Sequence, residues 1–256
     1  MQVALLVGGS GTRLREQTEF TPKGLIPIGN TPMVVHIMRW YAKFGFKDFV
    51  LALGYKQQAF KEYFSHYDII NNDITIDVGC YRGLNHHEHV DKGWRVILSD
   101  TGENTLKGGR LKKIEKYIIG DTFFMTYGDA VSDVNINELL AFHQSHGKIV
   151  TITGVHPAPR FGEILHKDGH ILSFSEKPQD EDCLVNGGFM VFDRRIFDYL
   201  TDDPWCDLEI GPFEFLANKG EMAVFHHRGF WGAMDTIKDM DALRQLWDSG
   251  EAKWKV

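Results

Sequence analysis

The residues best suited to chemistry gather near the start of the chain, where residues 8–14 read GGSGTRL directly after the apolar run 2–7. Glycines that follow a buried strand let backbone N–H groups approach phosphate oxygens closely, so this stretch is a phosphate cradle by its chemistry. Arg13 within it and the pair Pro22-Lys23 beyond it add positive charge to the same neighbourhood. The spacing is not that of a dinucleotide fingerprint, because Leu14 stands where G-x-G-x-x-G needs its third glycine, and no Walker lysine follows. Two carboxylates complete the set: Asp129 is expected at the end of an apolar strand and Asp235 at the opening of a helix, each projecting from a rigid element into one crevice. A simple helix-capping role for Asp235 stays open beside that reading.

These groups need elements to hold them. Apolar runs at 2–7, 49–53, 122–127 and 149–155 predict buried strands, separated by helical patterns at 56–67 and 136–146. Thr31 and Pro32 suit the cap and first position of a further helix whose apolar face is Ile37, Trp40, Tyr41 and Phe44. Strands alternating with helices argue for an α/β fold, a Rossmann-like, mainly parallel sheet flanked by helices, with ligands beyond the strands' carboxyl ends. Segment 68–109 breaks the alternation with short strand-like pieces and glycines, and reads as an insertion in a single domain spanning 1–256. From about 155 to 256 shorter strands, including 171–175 and 189–192, give way to helices near 209–218 and 235–249; this half is expected to shape the pocket of a second substrate.

Composition narrows the partners. With 256 residues and 43% hydrophobic content the chain can bury a full core. A formal net charge of -7, with no basic patch in the sequence, argues against nucleic-acid or anionic-membrane partners. The opening MQVALLV is too short an apolar run for a signal peptide or membrane span, so a cytoplasmic location is the expectation. Cys80, Cys183 and Cys206 are widely spaced and form no CxxC pair. The run His86, His87, Glu88, His89 invites a zinc reading, but adjacent side chains on a strand alternate faces and do not converge on one ion.

Taken with Pro22 and Lys23, the 8–14 segment resembles the signature of the sugar nucleotidyltransferases, also called NDP-sugar pyrophosphorylases. The resemblance runs from end to end, through GYK at 54–56, GGRLKKI at 108–114, YGDAVSD at 127–133, EKP at 176–178, NGGF at 186–189 and GFWGAMDT at 229–236. The 68–109 segment and GGRL make the chain most similar to the cytidylyltransferase subgroup. The chain departs from the family pattern at Thr21, Gly24 and Leu25, where relatives commonly have Lys-Pro-Lys-Pro-Met around the retained lysine. It departs again at Leu106-Lys107, in place of Met-Thr, and at Gly232-Ala233, in place of Gln-Pro.

The resemblance implies a nucleotide-diphospho-sugar transferase fold and transfer of a cytidylyl group from CTP to α-D-glucose 1-phosphate, with Mg2+ as cofactor and release of pyrophosphate. It places Arg13 and Lys23 on the triphosphate as catalytic cations, and chemistry agrees, because such transfers are driven by positioning and by cations where negative charge develops. It assigns Leu6, Gly8, Gly9, Ser10, Gly11, Thr12 and Asp129 to the nucleotide, and Asp129 with Asp235 to magnesium, a metal that commonly takes one or two carboxylates plus phosphate oxygens. Thr105 and Arg110 match the family's nucleotide contacts and would donate to cytosine O2 and N3. Lys177 is expected on the sugar phosphate and Glu176 and Asn186 on sugar hydroxyls, while the small Gly187 leaves room for the ring. Relatives assemble as homo-oligomers. Another triphosphate or acceptor, such as a heptose phosphate or a non-sugar phosphate, remains open, as does an inactive nucleotide-binding subunit, against which retention of Arg13, Lys23, Asp129, Lys177 and Asp235 argues.

Overall fold

Seven apolar segments pair into one sheet, and their order explains why distant motifs meet. The computed structural model describes residues 1–79, 84–87, 91–156, 163–167, 170–175 and 184–256. Its central strands are β1 (Gln2–Leu6), β2 (Asp48–Leu53), β3 (Arg95–Asp100), β4 (Thr122–Tyr127), β5 (Val150–Val155), β6 (Val185–Asp193) and β7 (Met222–His227). They lie side by side in the order β7-β5-β6-β4-β1-β2-β3. Pairs β1–β2, β1–β4, β2–β3 and β5–β7 are parallel, whereas β6 runs against both β4 and β5. The carboxyl ends of β1, β2, β3 and β4 therefore open on one edge, and reversal of β6 brings its amino end, with Asn186 and Gly187, to that same edge.

Side chains alternate across the sheet, as a period of two requires. Val3 and Leu5 of β1 join one buried cluster with Phe49, Leu51 and Phe124, while Ala4 and Leu6 join the other with Val50, Ala52 and Met125. Both faces are covered, which is why these strands read as continuous apolar runs. On the first face lies α1 (Met33–Lys43), burying Ile37, Trp40 and Tyr41; on the second lies α2 (Lys107–Ile114), burying Leu111 and Ile114. Two further helices, α3 (Ile136–His146) and α4 (Ile237–Asp248), contribute Leu139, Met240 and Leu243 to the first cluster.

Three expectations change. The helix expected from Thr31 and Pro32 starts one residue later: both pair with Pro27 and Ile28 in a short antiparallel ladder, Pro32 rather than Thr31 is the N-cap, and α1 begins at Met33, whose N–H donates to Ile26 O at 3.0 Å. Thr31 Oγ1 is taken instead by Arg39. Asp235 does not cap α4, because Thr236 is the N-cap in a reciprocal capping box with Asp239. Within 68–109, the pieces Tyr67–Asn71, Ile74–Ile76 and Leu84–His86 lie outside the central sheet, but Arg95–Asp100 is its edge strand. His86 and His87 fall on and just after Leu84–His86, and His87 Nε2 lies 2.6 Å from Thr75 Oγ1; Glu88 and His89 lie outside the described residues, as do Cys80 and Cys183. No helix among the described residues is long and apolar enough to cross a membrane.

His36 ties α1 to the Ile28 backbone and to α4. It is 3% exposed, its Nε2 lies 2.9 Å from Ile28 O, and its ring meets the edge of Trp247 at 4.6 Å. Burial pushes its pKa down to about 4, and burial does the same to His143. A histidine held neutral in the fold is protonated below about 6.5 once the chain unfolds, so its contribution to stability is complete above that pH and is lost as pH falls toward 4. Thermal melting across this window is expected to lose roughly 2–3 kcal/mol per histidine, and His36→Gln is expected to flatten the slope; an unchanged slope would contradict the assignment.

Candidate active site

A cavity of about 500 Å³ opens along the carboxyl edge of the sheet. Its floor is the turn after β1. Gly8 packs so closely on its surroundings that a Cβ there would collide with the Arg110 guanidinium and lie 2.9 Å from Gly54 N. Gly11 has φ +62°, the left-handed region where glycine is free of strain, and its carbonyl receives Leu14 N at 2.9 Å and Thr18 Oγ1 at 3.2 Å. The GYK segment braces this turn from β2: Tyr55 N donates to Gly8 O at 3.0 Å, and Lys56, the one non-glycine with positive φ among the described residues, reaches Glu19 O.

The charged centre comes from three separated segments. Lys23 Nζ lies 2.7 Å from Asp129 Oδ2 and 2.8 Å from Asp235 Oδ1. The two aspartates converge because Ala130–Ser132 and Trp231–Ala233 pair antiparallel, with Ala130 opposite Ala233, and because Met234 N donates to Asp129 O at 2.8 Å just beyond. Gly128, one residue earlier, passes against Val7, and a Cβ there would clash with the Val7 side chain. Burial alone would lower the Lys23 pKa, but Asp129 and then Asp235 hold it above the ordinary lysine value, so the ammonium stays charged. Two hard carboxylate oxygens thus face one cation position, a donor set that suits a magnesium-class ion once phosphate oxygens and waters complete the shell. Among the described residues no cluster of three or more metal-binding side chains occurs.

The sequence candidates Leu6, Gly8, Gly9, Gly11 and Lys23 line this cavity. So do Thr105, Arg110 and Asp129, together with Asn186, Gly187 and Asp235. Thr12 lines a smaller adjoining recess with Gly11, Lys23 and Asp235, and Ser10 is exposed on the turn. The Arg13 side chain, Glu176 and Lys177 lie outside the described residues. Packing alone already requires a glycine at 187: a Cβ there would meet Val155 Cγ1 at 2.7 Å and Thr153 O at 3.0 Å, both on the neighbouring strand. Its own carbonyl receives Trp231 Nε1 at 2.8 Å, which fixes that indole along the cavity wall.

Sequence reasoning missed one wall of the cavity. Tyr127 OH donates to Glu209 Oε1 at 2.6 Å, and Lys107, which lies over the Tyr127 ring at 5.3 Å, pairs with the same carboxylate. Burial, then Glu209, raises the Tyr127 pKa, so the hydroxyl remains a donor. Tyr127 was visible within YGDAVSD, but its partner lies 82 residues away and no local pattern marks it.

Residues 2–236 match the family model described as Nucleotidyl transferase. Proteins of Salmonella typhimurium and Salmonella typhi, each named glucose-1-phosphate cytidylyltransferase, are both 41% identical over 257 residues, covering 100% of this chain and 99% of theirs. The chain belongs to the nucleotidyl transferase family. A solved structure of this fold, a UDP-glucose pyrophosphorylase complexed with UDP-glucose, superposes with a TM-score of 0.70 at 14% identity, covering 97% of this chain and 98% of that one. In this nucleotidyl transferase, the Lys23 ammonium, the carboxylate pair and the glycine turn border one cavity.

A divalent ion held by Asp129 and Asp235 would compete with Lys23 for the same two oxygens. Lys23→Met is therefore expected to bind Mn2+ more tightly than wild type in the absence of nucleotide, by roughly tenfold, a modest energy for a part-exposed ion pair. Electron paramagnetic resonance titration of free Mn2+ measures this; equal or weaker binding by the variant would show that the ammonium does not occupy the cation position.

Proposed function

We propose that this nucleotidyl transferase moves a cytidylyl group from CTP to α-D-glucose 1-phosphate, giving CDP-glucose and pyrophosphate. A phosphate oxygen of the sugar phosphate attacks the α-phosphorus in line, the new phosphoanhydride bond forms as the α–β bond breaks, and pyrophosphate carries away the electron pair. The observation that carries this reading is the meeting of the glycine turn, Lys23, Asp129 and Asp235 in one cavity. The choice of nucleotide and acceptor is supported by the full-length 41% identity to relatives named for that reaction.

In this reading the backbone of residues 8–12 cradles the phosphates and Lys23, with Arg13, offsets negative charge that builds on them. Removal of one such contact typically costs about 10²–10³ in rate. Asp129 and Asp235 would hold Mg2+, which when bound supplies Lewis-acid charge to the phosphate oxygens. Asn186 and Gly187 at the amino end of β6, with Glu176 and Lys177, would receive the sugar phosphate, and Thr105 the nucleoside. The enzyme is expected to work in the cytoplasm as a homo-oligomer.

Pyrophosphate release measured with Mg2+ across CTP, UTP, dTTP, ATP and GTP against glucose 1-phosphate and other sugar phosphates tests the reading. Release confined to CTP with glucose 1-phosphate is expected. Release with a different pair would keep the reaction class and overturn the substrates, and silence from folded protein would overturn both. Asp235→Asn is expected to lower the rate at least 10²-fold with little change in melting temperature, since Thr236 rather than Asp235 caps α4.

A further inference from the structure

The cavity wall formed by Tyr127, Lys107 and Glu209 carries a cation whose hydrogen-bonding capacity is only partly used. Three cations line the cavity among the described residues: Lys23, Lys107 and Arg110. Arg110 is buried, and the Lys23 side chain, 16% exposed, is held by two carboxylates. The Lys107 side chain is 45% exposed, and its one ion pair among the described residues is with Glu209. An ammonium has three N–H donors, so two of them have no acceptor among the described residues. The carboxylate behind this cation is fixed. Glu209 opens the short helical segment Glu209–Phe213, where the Glu209 and Ile210 N–H groups donate to Asp207 Oδ1 at 2.8 and 3.0 Å. Its Oε1 accepts from both Lys107 and Tyr127 OH, while Oε2 is buried without a hydrogen-bond partner among the described residues. Glu209 does not itself line the cavity, so it holds two lining donors from behind.

The place of Lys107 singles out one of the two substrates. Tyr127 ends β4, and its ring lies against the amino end of β6: a Cβ on Gly188 would meet Tyr127 Cδ2 at 2.9 Å, and Gly188 N donates to Asn186 Oδ1 at 2.9 Å. Lys107 Nζ sits over that ring, 5.3 Å from its centroid. The ammonium is thus mounted on the side of Asn186 and Gly187, the residues that the proposed reaction gives to the sugar phosphate. Lys23, by contrast, packs against the glycine turn, its Cβ 3.3 Å from where a Cβ on Gly11 would stand. A phosphate monoester carries close to two negative charges at neutral pH and must approach a triphosphate that is also anionic. A cation on the acceptor side offsets that repulsion.

We propose that Lys107 is an acceptor-binding residue, whose ammonium donates to the phosphate of the sugar phosphate, and that Glu209 is the counter-charge that holds it at the wall and moderates its pull. This rests on the reading that a sugar phosphate occupies the cavity beside a triphosphate. A binding lysine differs from a structural one in the sign of its effects. Breaking a structural ion pair from either end has the same consequence. With a binding lysine, loss of the ammonium weakens the sugar phosphate, whereas loss of the carboxylate charge leaves the ammonium unopposed and tightens it.

Pyrophosphate release with Mg2+ gives kcat and the KM values of glucose 1-phosphate and CTP for wild type, Lys107→Met, Lys107→Gln, Lys107→Arg and Glu209→Gln, with melting as the check on folding. Lys107→Met is expected to raise the glucose 1-phosphate KM by about tenfold or more and to leave the CTP KM within about twofold. Lys107→Gln is expected to do the same and carries the test if Lys107→Met does not fold, and Lys107→Arg, which keeps the charge, is expected to recover most of the loss. Glu209→Gln, which keeps an acceptor for Tyr127, is expected to lower the glucose 1-phosphate KM by about threefold at low salt, with the gain fading as ionic strength rises. A raised or unchanged KM in Glu209→Gln, a neutral Lys107 variant with the wild-type glucose 1-phosphate KM, or an equal rise for both substrates would overturn the proposal and leave the functional reading standing. Wild-type protein that turns over no glucose 1-phosphate would overturn the functional reading, and this proposal with it.

Discussion

An ammonium held at 2.7 and 2.8 Å by two carboxylates is the contact around which the cavity is built. Three charges from three distant segments stay together only if rigid elements deliver them, since a part-exposed ion pair contributes little on its own. The short ladder between Ala130–Ser132 and Trp231–Ala233 does this for the aspartates, and the turn Lys23–Leu25, packed beside Phe60, does it for the lysine. The cluster is therefore a product of backbone pairing more than of ionic attraction. What the attraction adds is a cation already resting between the two carboxylates at the cavity.

The second constraint is steric. Gly8, Gly54 and Gly128 sit where the exits of β1, β2 and β4 crowd against a guanidinium or a valine, and any side chain there would push the strand ends apart. Reversal of β6 is the topological counterpart: one antiparallel strand in an otherwise parallel sheet sends the NGGF segment to the same edge as the glycine turn. Both substrates' contacts can thus lie within one cavity, as a direct transfer between two bound phosphates demands.

Much of this was legible in the sequence because it is local. The strand at Thr122–Tyr127 and the helix at Ile136–His146 match their expected bounds, since a fully buried strand and a well-capped helix with Asn135 at its start leave unmistakable patterns. Asp129 and Asp235 were legible as a pair through their motifs. The edge strand Arg95–Asp100 was not, because most of it is only half-buried and its apolar signal is weak. Thr31-Pro32 marked the start of α1 to within one residue, because the dipeptide forms a short bridge and Pro32 also serves as the helix N-cap. The Lys107–Glu209–Tyr127 wall and the bond from Arg110 to Gly8 O depend on contacts between residues far apart in the chain, which no spacing rule records.

Asp129 and Asp235 are expected to act as one unit on one cation, with Lys23 as their resting partner. The most direct measurement is the rate of pyrophosphate formation by Asp129→Asn, Asp235→Asn and the double variant under saturating Mg2+. Carboxylates that share a single function are non-additive, so the double variant is expected to be no slower than the worse single variant, within about threefold. A double variant whose loss is the product of the two single losses would mean that the aspartates serve separate roles, and would contradict the shared-cation centre.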